Sequence, residues 1–205
     1  MRFGSAIKDK PFGESYSGES SDYLRTFKEG QSLVRFVYPL SADGWIGYYE
    51  HYNPITKRST PCLRDSNGDT SECGACNSDN KDFRYAGRKV ATNIMLVDKE
   101  IVLPFKMSQR LFEQIERRAE RDGGDVTKRD YLITRSGKGT NTTYDVDRED
   151  SYEIDLKAAQ TNGYDIQKIL AGQFEEYWEN YGDSVIAEKV VEKPAVAKEL
   201  EKPDF

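Results

Sequence analysis

Lys89 to Gly124 reads KVATNIMLVDKEIVLPFKMSQRLFEQIERRAERDGG, and its apolar period changes once. Val90, Ile94, Met95, Leu96 and Val97 give Lys89 to Asp98 the character of a strand. A short turn at Asp98 to Glu100 leads into Ile101 to Phe105, so the pair reads as a hairpin. From Met107 to Arg121 the spacing becomes helical: Leu111, Phe112, Ile115 and Ala119 fall on one face, and Glu113 can pair with Arg117 one turn on. Gly123 and Gly124 supply the stop.

Outward from this unit the chain is rich in strands. Downstream, Asp130 to Arg135 and Thr142 to Val146 read as strands joined by Ser136-Gly137-Lys138-Gly139. Upstream, Ser32 to Tyr38 alternates and ends at Pro39, and a further candidate runs from Trp45 to Tyr52. Between Asn53 and Asp82 lies a turn-rich stretch poor in large apolar residues, too long for a plain connection. A helix before the last two strands is the order expected of a five-stranded Greek-key barrel of the oligonucleotide-binding type, the OB-fold. Six strand candidates then require one to belong to the insert or to be a broken neighbour. Tyr164 to Tyr181 predicts a C-terminal helix, with Ile166, Ile169, Leu170, Phe174, Tyr177 and Tyr181 as its apolar stripe, Asp165 as cap and Gly182 as stop.

The fold class expected is therefore mainly β with α: a five-stranded OB-fold barrel carrying an inserted subdomain and a C-terminal helix. Residues 1–24, rich in Gly and Ser, read as a flexible arm, residues 25–182 as the core with its insert at about 50–85, and residues 183–205 as an acidic flexible tail. No apolar run approaches the ~20 residues a membrane-spanning helix needs. Met1 to Ile7 lacks the pattern of a secretory signal, so a cytoplasm is the expected compartment.

All three cysteines and the single histidine fall within the insert, at His51, Cys62, Cys73 and Cys76. Cys73-Gly74-Ala75-Cys76 is a Cys-x2-Cys knuckle, whose two spacer residues let both thiolates face one metal. With Cys62 and His51 the set is Cys3His, a closed tetrahedral zinc set with no position left for water, so one structural zinc is expected and it would order the insert. A disulfide with one cysteine left over, or buried thiols beside an ordinary histidine, are the competing readings. The deaminase pattern fails, because no His-x-Glu occurs and Glu72, not Pro, precedes Cys73. No GxxxxGK[ST], GxSxG or HExxH occurs either, and no enzymatic activity is expected.

The net charge of -6 hides an asymmetry. Arg84 to Tyr144 carries thirteen Lys/Arg against eight Asp/Glu, whereas Asp145 to Phe205 carries seven against sixteen. A basic middle followed by an acidic end suits a polyanion-binding core with a competing tail. Aromatics interleave with the cations there, as single strands require: cations follow phosphates and bases stack on rings. The expected stacking residues are Tyr48, Tyr49, Tyr85 and Tyr131, with Arg88, Lys89, Lys106, Arg110, Arg135 and Lys138 for phosphates. Tyr48 and Tyr49 are adjacent in a strand, so they point to opposite faces. A zinc-stabilised interaction adaptor in replication or transcription is the alternative. A zinc-bearing nuclease lacks a carboxylate cluster with ligand spacing.

These residues also resemble a family. Gly47-Tyr48-Tyr49-Glu50-His51-Tyr52, the knuckle Cys73 to Cys76, Arg88 to Asp98 and Leu103-Pro104-Phe105-Lys106 are similar to stretches of the zinc-containing single-stranded-DNA-binding proteins of T-even bacteriophages and their relatives. The likeness covers roughly residues 25–182. It implies a zinc subdomain beside an OB barrel, with DNA in the electropositive cleft between them, and a place in phage DNA replication, recombination and repair within an infected bacterial cytoplasm. It further implies an N-terminal arm that drives self-association on DNA and a tail that recruits replication and recombination proteins. The chain departs from the family at its start, where Arg2, Lys8 and Lys10 are scattered, while Lys57-Arg58-Ser59-Thr60 lies inside the insert. Asp204-Phe205 is similar to the acidic-aromatic ending of other single-strand-binding proteins, and is the expected partner-binding end.

Overall fold

The computed structural model describes residues 23–64 and 67–187, with the backbone alone at 181–187. Most of the predicted arm, and all of the tail from residue 188 with Asp204 and Phe205, lie outside the described residues. Seven strands form one antiparallel sheet: β1 (Gly30–Phe36), β2 (Trp45–Asn53), β3 (Arg58–Pro61), β4 (Ala86–Leu96), β5 (Ile101–Ser108), β6 (Asp130–Ser136) and β7 (Thr143–Glu149). The helices are α1 (Lys81–Arg84), a single turn, α2 (Gln109–Ala119), α3 (Leu156–Thr161) and α4 (Ile166–Ala187).

The long strand β4 organises the sheet. One of its edges pairs with β5 from Lys89 to Leu96. The other is shared end to end by β2, opposite residues 86–92, and by β1, opposite residues 94–96. Two of the six predicted strands thus act as one interrupted neighbour of β4. The extra strand, β3, pairs with β2 inside the insert, after a turn at Lys57 with a left-handed φ of 56°. β1 continues to β6, and β6 to β7. The path runs β3-β2-β4-β1-β6-β7 with β5 branching from β4, and no pairing among the described residues closes it. The five-stranded closed barrel is therefore corrected to an open seven-stranded sheet.

α2 begins at Gln109, two residues after the expected Met107, because the Ser108 hydroxyl accepts from the Leu111 N–H and caps it there, and the chain leaves it through Gly123 at φ 72°. It lays Leu111, Phe112, Ile115 and Ala119 on a core formed by Val34, Phe36, Trp45, Val90, Phe105, Tyr131 and Ile133. Trp45 is the hub of that core, its ring 5.2 Å from Phe36 and 5.5 Å from Phe112. The opposite face of β2 and β4 is covered by α4, which buries Ile166, Ile169 and Leu170 against Ile46, Tyr48 and Ala91. α4 continues past Gly182, five residues beyond its expected stop. Among the described residues no helix is long and apolar enough to cross a membrane.

Candidate metal centre

β2 carries His51 to the end of the sheet, and β3 turns the chain back so that Cys62 follows it directly, its N–H donating to the Tyr49 carbonyl at 2.8 Å. The knuckle is built by short-range bonds: Asn77 Nδ2 donates to the carbonyls of Thr70, Ser71 and Cys73, and the Asn77 N–H donates to Cys73 O at 3.1 Å. Few apolar side chains are buried here; Phe83, Ala75 and Tyr177 surround the thiols.

The four donor atoms lie within 4.8 Å of one another, with His51, Cys62 and Cys73 buried and Cys76 half-buried. Cys62 Sγ is 3.8 Å from Cys73 Sγ and 3.5 Å from Cys76 Sγ. His51 Nε2 is 3.6 Å from Cys73 Sγ and 3.4 Å from Cys76 Sγ. A tetrahedron with Zn–S about 2.3 Å and Zn–N about 2.0–2.1 Å has S···S edges of about 3.8 Å and S···N edges of about 3.5 Å. The residues therefore fit a tetrahedral ion with these donors. Such sulfur separations are far outside the ~2.05 Å of a disulfide, and all three thiols are free.

His51 is oriented from behind. Its Nδ1 lies 2.9 Å from the Phe83 carbonyl, which can only accept, so Nδ1 carries the proton and Nε2 turns its lone pair to the sulfurs. Phe83 is placed in turn by Asn80, whose side-chain oxygen caps α1. The bond from Cys62 holds the Cys73 thiol well below its usual range, and the same bond together with burial pushes Cys62 up.

The expected DNA contacts do not form one surface. Tyr131 is fully buried, its ring edge-on to Phe36 at 5.4 Å, and burial pushes its phenol up to about 12. Tyr48 is buried beneath α4 with its hydroxyl 3.0 Å from Glu50 Oε2. Neither ring has a face for a base, and both expectations are corrected. Lys89 stands opposite Tyr48 on the α4-covered side, and Lys106 on the same side pairs with Glu50 at 2.6 Å. The other side holds a different group. Tyr49 stands opposite Arg88, and the guanidinium of Arg64 lies over the Tyr49 ring at 4.5 Å. Tyr85 is 76% exposed just before β4, Arg110 is exposed in the first turn of α2, and Lys138 is exposed in the β6–β7 connection. Arg135, half-buried, stands opposite Tyr144, and its Nε is buried with no hydrogen-bond partner. Sequence reasoning missed Arg64, although a cation two residues from a metal ligand is fixed wherever that ligand is fixed.

No family model, no curated protein and no solved structure matches this chain.

Proposed function

We propose that this chain is a zinc-stabilised, non-enzymatic protein that binds single-stranded DNA without regard to sequence. The observation that carries the reading is the group Tyr49, Arg64 and Arg88 beside the Cys3His cluster: a half-buried aromatic ring with the Arg64 guanidinium over it and Arg88 opposite it on β4. Unpaired bases stack on such rings while cations hold phosphates, and a duplex offers no free base faces. The pairing of β1 with both β4 and β6, and a helix between β5 and β6, support an OB-type ancestry for the sheet although it stays open. Zinc fits the donor set and would fix the wall that carries Arg64. The place in phage replication, recombination and repair, self-association on DNA, and recruitment of partners through the C-terminal end rest on the sequence resemblance alone.

The test is a titration of the zinc-loaded protein with a labelled single strand and with a duplex of equal length, at two salt concentrations. Neutralising about four phosphates predicts that single-strand affinity falls about 50-fold when salt rises from about 50 to 200 mM, with little duplex binding throughout. No binding to either at low salt would reject the reading and favour the interaction adaptor.

The rings should separate in the same assay. Tyr49→Ala is expected to lose the stacking of one base, about 1–3 kcal/mol or roughly 5- to 150-fold in affinity. Tyr131→Phe should leave affinity unchanged and not lower the melting temperature, because its hydroxyl is buried with no hydrogen-bond partner. An equal loss in both variants would mean that the Tyr49 ring has no special role.

A further inference from the structure

α4 stands on two different floors. Its first turns, through Leu170, are buried against Leu24, Ile46, Tyr48 and Ala91, which belong to the sheet and its approach. Its later turns meet the metal module. Tyr177 packs with Cys62, Cys73, Ala75 and Phe83, and its hydroxyl accepts from Asn53 Nδ2 at 3.0 Å. Trp178 lies over the knuckle so closely that a Cβ at Gly74 would stand 2.8 Å from its Cη2. The indole Nε1 is buried with no hydrogen-bond partner, so the fit of the ring to the knuckle, not a polar bond, holds Trp178.

Gly172 separates the two parts. It is exposed, with no atom within 4 Å of the place a Cβ would take, so no close packing requires glycine there. After proline, glycine is also the residue least favourable to a helix interior. The later part carries one more tie: the Tyr23 hydroxyl donates to the Glu176 carboxylate at 2.7 Å, joining the start of the described chain to α4.

We propose that residues 173–187 of α4 form a latch that seats only on the metal-loaded module, with Tyr177 and Trp178 as positioning residues and Gly172 as the hinge. The inference rests on the zinc reading and not on DNA binding. The module has few buried apolar side chains of its own, so the seat exists only while the four ligands are drawn together. Loss of the ion removes the floor beneath Tyr177 and Trp178 but leaves the floor beneath Ile166, Ile169 and Leu170. Opening of the latch would also break the Tyr23–Glu176 tie.

Amide hydrogen exchange on the full chain tests this, comparing zinc-loaded protein with protein stripped by a chelator. Exchange across residues 173–180 should quicken at least tenfold on stripping, while residues 166–171 keep their protection. Gly74→Val leaves every ligand in place but fills the position under Trp178. It should retain one zinc per chain and still show fast exchange at 173–180. Trp178→Ala should release zinc to a colorimetric chelator about tenfold faster, the scale on which outer-shell partners act. One zinc bound with α4 exchanging as a single unit, or Gly74→Val protected like the parent, would overturn the latch and leave the metal centre standing. No zinc bound at all would remove both.

Discussion

Chelation of zinc from the loaded protein is expected to unfold the segment between His51 and Tyr85 and to lower the melting temperature by more than any single core substitution. In small domains structural zinc contributes about 10–16 kcal/mol of apparent binding energy that is also folding energy. The segment here is expected to depend on the ion in the same way. Its ordered backbone consists of a four-residue strand, one helical turn and the knuckle, and its buried apolar side chains are few. Cys73→Ser should reproduce the effect without a chelator, because it removes one of the two sulfurs that meet both Cys62 and His51. Binding displaces thiol protons, so zinc affinity should fall as pH falls and protons compete for the sulfurs. Calorimetry reads the result directly: the stripped protein should melt at a lower temperature and with a smaller enthalpy than the loaded one. A single transition at an unchanged temperature after complete removal of zinc would mean that packing, and not the ion, holds the module.

The parts of this molecule that were legible in its sequence are those set by local spacing. The β4–β5 hairpin and α2 follow from one change of period between Val97 and Leu111, and Gly123 marks the stop chemically. The cluster of four potential metal donors was legible because every Cys and the only His share one short segment. What stayed hidden depends on which side of a strand is covered. Alternation puts Tyr48 and Tyr49 on opposite faces, but only the packing of α4 on Ile46 and Ala91 decides that Tyr48 is the buried one. For Tyr131 the signal was present: it shares a face with Ile133 two residues on, and both lie in the core. Closure of the sheet depends on distant pairing, which no period reports. The insert's own strand, β3, is too short and too polar to show alternation.

A second large effect is expected from a pair that the sequence does not announce at all. Arg35 and Asp130 stand opposite each other on β1 and β6, and Arg35 Nε meets Asp130 Oδ1 at 2.6 Å with both side chains buried. The pair also holds the chain beyond β7. Arg35 donates to the carbonyls of Thr127 and Tyr152, and the Tyr152 N–H donates to Asp130 Oδ2 at 2.9 Å. Asp130→Ala would leave a guanidinium buried without its counter-charge and strip the Tyr152 N–H of its acceptor, a loss of about 3–5 kcal/mol. At roughly 2–4 °C per kcal/mol for a chain of this size, the melting temperature should drop by about 6–20 °C. The double variant Arg35→Met/Asp130→Leu should recover part of that loss, because neither charge then has to leave water. The recovery should stop short of the parent, since Thr127, Tyr152 and the segment leading to α3 would still lack their bonds. A double variant no more stable than Asp130→Ala would show that the loss comes from those backbone bonds and not from the buried charge. Through those bonds the pair fixes where the chain turns toward α3 and α4, so its loss should also loosen the helix that covers Tyr48.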